Sequence, residues 1–261
     1  MTELKDVQKE KPKNKIDIDE VGIKNIHVPF RIIHKSKKHQ QITGKVNLLI
    51  SLSEEHKGTH MSRFVEILNN YSNKILHVEV LDELVKEVLK KLDCEKAKIE
   101  IEFDYFKEKE APISKIKSIM NYNCKIIRVA KKNLKEPEHI LQIKVPITTL
   151  CPCSKEISKY GAHNQRGYVT INLKFNQFIW IEDLIKIVED QSSCEIYPLL
   201  KRPDEKFVTE KAYENPKFVE DVVRDVAFEL QKDKRIDWFK VECENEESIH
   251  LHNVYSSITK Q

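Results

Sequence analysis

The hydrophobic pattern of this chain switches between strand and helix periods in one order, and then repeats that order. Residues 21–33 (VGIKNIHVPFRII) and 42–53 (ITGKVNLLISLS) read as two strands joined by the basic turn HKSKKHQQ. Two helices follow. Met61–Tyr71 places Met61, Phe64, Val65 and Leu68 on one face, and Val80–Leu92 does the same with Leu81, Leu84, Val85, Val88, Leu89 and Leu92. KIEIEFDYF at 98–106 then returns to period two, with NCKIIRVAKK at 123–132 as its partner.

After Pro137 the order recurs. HILQIKVPI (139–147) and GYVTINLKF (167–175) read as strands, and 181–191 sets Ile181, Leu184, Ile185 and Val188 at helical spacing. A further helix, opened by Asn215 and Pro216, would bury Val219, Val222, Val223, Val226 and Leu230 before IDWFKVEC alternates again. The pattern predicts an α+β fold of two tandem ββααββ units, each an antiparallel sheet with its helices on one face. The expected division is a flexible N-terminal arm at 1–20, a first module at 21–136 and a second module at 137–261. Sheets of this kind expose edges, and joining them edge to edge closes a barrel, so a homo-oligomer is expected.

Composition narrows the function classes. With 40% apolar residues over 261 positions the chain can bury a large core. Its 45 basic and 42 acidic residues leave a net charge of +3, too balanced for wholesale nucleic-acid binding. The longest apolar run, VNLLISL at 46–52, is far short of the roughly 20 residues that span a bilayer. The charged N-terminal stretch lacks a signal-peptide core, so a cytoplasmic location is expected. Six scattered cysteines are not a disulfide framework, and Cys94, Cys124 and Cys243 read as small buried hydrophobes.

Residues 145–167, VPITTLCPCSKEISKYGAHNQRG, hold the most chemistry. Cys151 and Cys153 are one residue apart, closer than a zinc-knuckle pair, so by itself CPC is divided evenly between a strand-ending turn and a site. The loop nevertheless gathers a thiol, an imidazole (His163) and cations (Lys155, Arg166) between two strands, the ingredients of a metal or anion site. YPLLKRPDEKFVTE at 197–210 reads as a polar loop between helices, with Asp204, Glu205 and Glu210 as available carboxylates. His250 and His252, two apart on an expected terminal strand, would face the same side beside Glu247.

These segments, taken with THMSRF at 59–64, ENPKFVED at 214–221 and ESIHLH at 247–252, closely resemble the type IB GTP cyclohydrolases, members of the tunnelling fold. The resemblance runs from about residue 20 to the end in five ordered motifs. It implies a bimodular tunnelling fold in an oligomeric barrel. It also implies conversion of GTP and water to 7,8-dihydroneopterin triphosphate and formate, the entry to tetrahydrofolate synthesis. Matched position by position, it makes Cys151, His163, Glu205 and His250 the metal site, Glu220 the guanine anchor and Glu247 a proton carrier. Arg63, Lys155, Arg166, Lys201 and Arg202 are the cations available to the triphosphate. The implied cofactor is a divalent metal, and a mixed sulfur, nitrogen and oxygen set leaves Zn2+, Mn2+ and Fe2+ open. The implied partners are GTP and further copies of the chain, a homotetramer with active sites near subunit interfaces, with neither nucleic acid nor membrane.

Two tensions accompany the assignment. Four protein ligands close a tetrahedral site that catalysis needs open, so either coordination expands or one of Cys151 and His163 is a conditional ligand that otherwise works as an acid or base. The family pattern would also place an aspartate after His252, where this chain has Asn253. Competing readings on the same fold are a relative forming the cyclic phosphate of dihydroneopterin, a nitrile reductase with a cysteine nucleophile, and a non-catalytic pterin-binding protein. The nitrile reductase leaves GAHNQRG unexplained, and the presence of all four metal positions ranks the non-catalytic reading lower.

Overall fold

Period-two stretches become long strands and period-3.6 stretches become helices in a computed structural model that describes residues 7–260. The first half forms β1 (Ile18–His34), β2 (Lys38–Leu52), α1 (Met61–Tyr71), β3 (Ile75–Leu76), α2 (Val78–Lys91), β4 (Lys96–Glu110) and β5 (Lys117–Lys131). The second forms β6 (Glu138–Leu150), α3 (Pro152–Ile157), β7 (Asn164–Phe175), α4 (Ile181–Asp190), β8 (Cys194–Glu195), α5 (Arg202–Glu214), α6 (Val219–Leu230), β9 (Ile236–Glu246) and β10 (Val254–Lys260). The ββααββ order is present in both halves, with α3 and α5 added to the second. Even the short strands correspond: β3 follows α1 and pairs with β1, and β8 follows α4 and pairs with β6.

Two compact units emerge. One holds the residues up to Phe103 together with Lys125–Ile140, and the other holds Asp104–Cys124 together with the residues from Leu141 onward. β4 and β5 therefore contribute residues to both units, which a linear boundary at 136 does not convey. In the first unit the strand order is β3-β1-β2-β4. Strand alternation buries Phe30, Val46, Leu48, Ile50, Ile99 and Ile101, and the apolar faces of α1 and α2 add Phe64, Ile67, Leu84 and Val88. At about 1.5–3 kcal/mol for each fully buried side chain, this layer dominates the unit's stability. In the second unit the order is β10-β9-β7-β6, with β8 also on β6. Ile143, Val145, Val169, Ile171 and Val241 meet Leu184, Ile185, Val188, Val222 and Val226 there, all with at most 1% exposure.

Four expectations change. The first six residues of the expected arm lie outside the described residues. The rest is tied down: Lys57 N–H donates to the Glu10 carbonyl (2.8 Å), Gly58 N–H to the Gln8 carbonyl (3.1 Å) and Glu54 N–H to the Asp17 carboxylate (2.8 Å). Aperiodic, charged sequence hides such backbone bonding. The supposed loop around Asp204 is helix α5, missed because Ala212 is its one buried apolar side chain. Its start is set by Pro203 in the first turn and by Asp204, whose carboxylate accepts from Lys201 N–H at 2.9 Å. Asn215 closes α5, its N–H donating to the Lys211 carbonyl, and α6 begins three residues later than the Asn-Pro pair suggests, where Asp221 accepts from Phe218 N–H at 3.0 Å. Finally, His250 and His252 lie on the loop between β9 and β10 instead of on a strand.

Candidate active site

The end of β6 is fixed from two sides. Leu150 N–H donates to the Ser193 hydroxyl (3.1 Å), and its carbonyl accepts from Lys217 N–H (3.0 Å). The next residue, Cys151, caps α3, its Sγ accepting from Ser154 N–H at 3.4 Å. The chain returns through Gly161, whose φ of +113° is a conformation that L side chains rarely adopt. His163 arrives opposite Cys151, continuing the register in which Leu150 faces Asn164, and its carbonyl accepts from Cys151 N–H at 3.1 Å. Its own N–H donates to the Ser154 hydroxyl at 3.2 Å. A half-buried thiol and a half-buried imidazole thus share one end of the β6/β7 pair.

Glu247 joins them from just beyond β9. Its side chain is 8% exposed, and its Oε2 lies 3.8 Å from His163 Nδ1. Among the described residues that oxygen has no hydrogen-bond partner. A buried carboxylate oxygen left unbonded beside an imidazole is costly unless a proton or a cation occupies the space near it. Ser248 Oγ approaches the same ring nitrogen at 3.5 Å, and Gln165 Oε1 at 3.1 Å.

Not every expected residue gathers here. Glu205 is exposed in the first turn of α5, and His250 is exposed with its ring stacked on that of His252 at 5.2 Å. Among the described residues no three His, Cys, Asp or Glu side chains stand close enough to hold a metal. Asp204, beside Glu205, is fully buried and taken up by Ser114, Ile113 N–H and Lys201 N–H, which leaves Glu205 as the carboxylate that the first turn of α5 presents to solvent. Glu220 is exposed in the first turn of α6. Burial, with the negative charge of Glu220 adding to it, pushes the Cys243 thiol of β9 up to about 12. Lys217, three residues before Glu220, is the residue bonded to Leu150.

The cations separate by what they already do. Lys155 Nζ donates to the Tyr213 carbonyl at 2.6 Å and stands 4.6 Å from that ring's centre, so its charge ties α3 to α5. Arg166, Lys201 and Arg202 are exposed in the second unit. Arg63, in the first unit, lines a cavity of about 660 Å3 of mixed charge, where Asp93 and Glu95 already pair with Lys132.

The motif reading placed Gln165 in the polar loop but missed the buried layer it forms behind His163 with Thr149 and Asn245, on β6, β7 and β9. A signal was present: Gln165 falls in the same alternation as Val169 and Ile171, and Asn245 in that of Val241 and Cys243, so both occupy inward positions.

The fold has solved counterparts. Uricase from Arthrobacter globiformis superposes with a TM-score of 0.53 over 93% of this chain and 94% of that one, at 9% identity. A hyperthermostable R298C mutant of urate oxidase from Bacillus sp. TB-90 gives 0.58 over 93% and 98%, at 11% identity. At such identities the likeness speaks for the architecture alone, and it defines this chain as a tunnelling-fold protein. Sequence goes further. The family model described as type I GTP cyclohydrolase folE2 matches residues 4–256. Proteins named GTP cyclohydrolase FolE2 from Magnetococcus marinus and Thermotoga sp. (strain RQ2) are 49% and 45% identical, each over 98% of this chain and over 95% and 97% of their own lengths. The chain belongs to the type I GTP cyclohydrolase folE2 family.

Proposed function

We propose that the protein is a GTP cyclohydrolase that hydrolyses GTP at guanine C8 to give 7,8-dihydroneopterin triphosphate and formate, in tetrahydrofolate synthesis. The observation that carries the reading is the near full-length match to this family. The convergence of Cys151, His163 and Glu247 at the end of β6 gives it a place for chemistry.

The residue types fit a divalent cation, Zn2+, Mn2+ or Fe2+: a thiol, imidazoles and a carboxylate, with a buried, unbonded carboxylate oxygen at Glu247 close by. Cys151, His163, Glu205 and His250 would hold it. When bound, such an ion supplies Lewis-acid polarisation and lowers the pKa of water to about 7. The chain's own groups do the rest. Glu247, desolvated beside His163, gives the site a carboxylate that takes up and returns a proton as the guanine imidazole opens and formate leaves. Glu220, an acceptor pair in the first turn of α6, receives the two guanine N–H groups. Arg166, Lys201 and Arg202 are the exposed cations open to the triphosphate. Arg63 carries the same charge in the cavity of the first unit.

The protein works as a homo-oligomer, with a homotetramer and sites near subunit interfaces as the expected arrangement. Two observations support it. Glu205 and His250 do not join Cys151 and His163 in a metal-holding group within one chain. The end of α3 and the loops that carry or flank these residues expose large apolar side chains, Ile157 at 84%, Tyr160 at 88% and Leu251 at 105%. Six unpaired cysteines support a reducing compartment, the cytoplasm.

Purified protein loaded in turn with zinc, manganese and iron(II) should release formate from GTP and yield a fluorescent pterin after oxidation. Absence of both products with all three metals would overturn the reading.

A further inference from the structure

The family resemblance assigns no role to Thr149, Gln165 or Asn245, although Gln165 lies within GAHNQRG, and the geometry of this polar layer has a direction. His163 Nδ1 meets Gln165 Oε1 at 3.1 Å, Ser248 Oγ at 3.5 Å and Glu247 Oε2 at 3.8 Å. An amide oxygen only accepts hydrogen bonds, so the Nδ1 that meets Gln165 Oε1 is the ring nitrogen that carries hydrogen, and the Glu247 charge, too distant for a hydrogen bond of its own, favours hydrogen on the same atom. With its oxygen turned to the ring, Gln165 sends its NH2 to the other side. There it donates to Thr149 Oγ1 at 2.8 Å, and Asn245 Nδ2 donates to the same hydroxyl at 2.7 Å.

Each member is buried: Thr149 is 0%, Asn245 1% and Gln165 7% exposed. Strand register aligns them, with Thr149 opposite Gln165 and Gly167 opposite Asn245. Gly167 is what admits the asparagine, since a Cβ there would come within 2.2 Å of Asn245 Oδ1. Valine and isoleucine fill the neighbouring inward positions at no polar cost, whereas each buried polar group left unbonded costs about 1–3 kcal/mol. A connected amide and hydroxyl chain that ends on the imidazole of the candidate site is thus a device for orienting that ring.

We infer that Gln165, held by Thr149 and Asn245, is a positioning residue that fixes His163 as the Nδ1–H tautomer and so reserves its Nε2 lone pair for the site's chemistry. The consequence for catalysis rests on the reading of His163 as a ligand or acid–base group, while the tautomer itself rests on the hydrogen bonds alone. Outer partners of this kind orient a ligating imidazole, and their loss weakens metal binding about 10–100-fold.

Metal-free protein carrying isotope-labelled histidine tests this through long-range proton–nitrogen correlation spectra, with the ring assigned by His163→Gln. The neutral ring in the wild type is expected to show the Nδ1–H pattern. Thr149→Val removes the acceptor of the Gln165 NH2 without touching the imidazole. It should introduce an Nε2–H population and lower zinc affinity about 10–100-fold, and Thr149→Ser should restore both. An Nε2–H pattern in the wild type overturns the proposal whether or not any variant folds. So does a Thr149→Val protein with wild-type tautomer and zinc affinity. None of these outcomes needs GTP turnover, so a failure here leaves the cyclohydrolase reading standing. An Nδ1–H pattern in a protein that cannot turn over GTP supports the proposal and contradicts only that reading.

Discussion

Leu150 anchors the end of β6, because both its backbone groups are taken by side-chain and loop partners and Cys151 follows directly. Cys151, His163 and Glu247 were legible in the sequence because their motifs survive as short ordered strings. Gln165 was visible only as part of the polar loop, and Thr149 and Asn245 not at all as partners, since alternation marks an inward position but only strand register brings the three together. Glu220 came from family resemblance alone, and the first turn of α6 gives it an exposed carboxylate. Glu220→Gln replaces an anionic acceptor with a neutral amide, and hydrogen bonds to charged groups contribute about 1.5–3 kcal/mol. The expected loss in kcat/KM for GTP is therefore about 10–100-fold, with metal content unchanged, which steady-state kinetics beside metal analysis would read. A variant with wild-type kinetics would remove Glu220 from the substrate site.

Elements built on apolar periodicity were readable, and elements built on capping were not. α1, α2, α4 and α6 each bury a stripe of apolar side chains, whereas α5 is nucleated by Pro203 and Asp204 and buries little else. Burial alone would raise the Asp204 carboxyl, but the Ser114 hydroxyl and the N–H groups of Ser114, Lys201 and Ile113 outweigh it and hold the group well below the usual carboxylate range. A folded pKa below the unfolded value of about 3.9 gives stability that is complete above that value and lost as pH falls through the folded one. Urea midpoints should therefore fall for the wild type as pH drops below ~4, and Asp204→Asn should lie lower at neutral pH and lose less on acidification. Parallel acid limbs for the two proteins would contradict this. At β7, Gly167→Ala drives a Cβ into Asn245 and should cost about 1–3 kcal/mol, read as a lowered urea midpoint.

At the scale of the molecule, the repeated ββααββ order in the sequence was enough to give the architecture, and the match to urate oxidases at 9–11% identity shows how little residue identity that architecture requires. The assembly of the proposed metal site was less legible, because side chains separated along the chain need not meet within one copy. If a second copy completes the site, charge on the exposed apolar loops should disturb assembly and activity together. Tyr160→Glu and Leu251→Glu are expected to lower both the mass seen by light scattering and the rate of GTP turnover. Unchanged mass and rate would place those loops outside any functional interface. The central claim is that the chemistry sits where β6 ends. Metal-dependent formate release from GTP, measured for the wild type and Cys151→Ala side by side, tests it most directly. Release by the wild type and a loss of more than about 100-fold in the variant, together with its metal, is the expected result. A variant that keeps both its metal and its turnover would contradict the site as described.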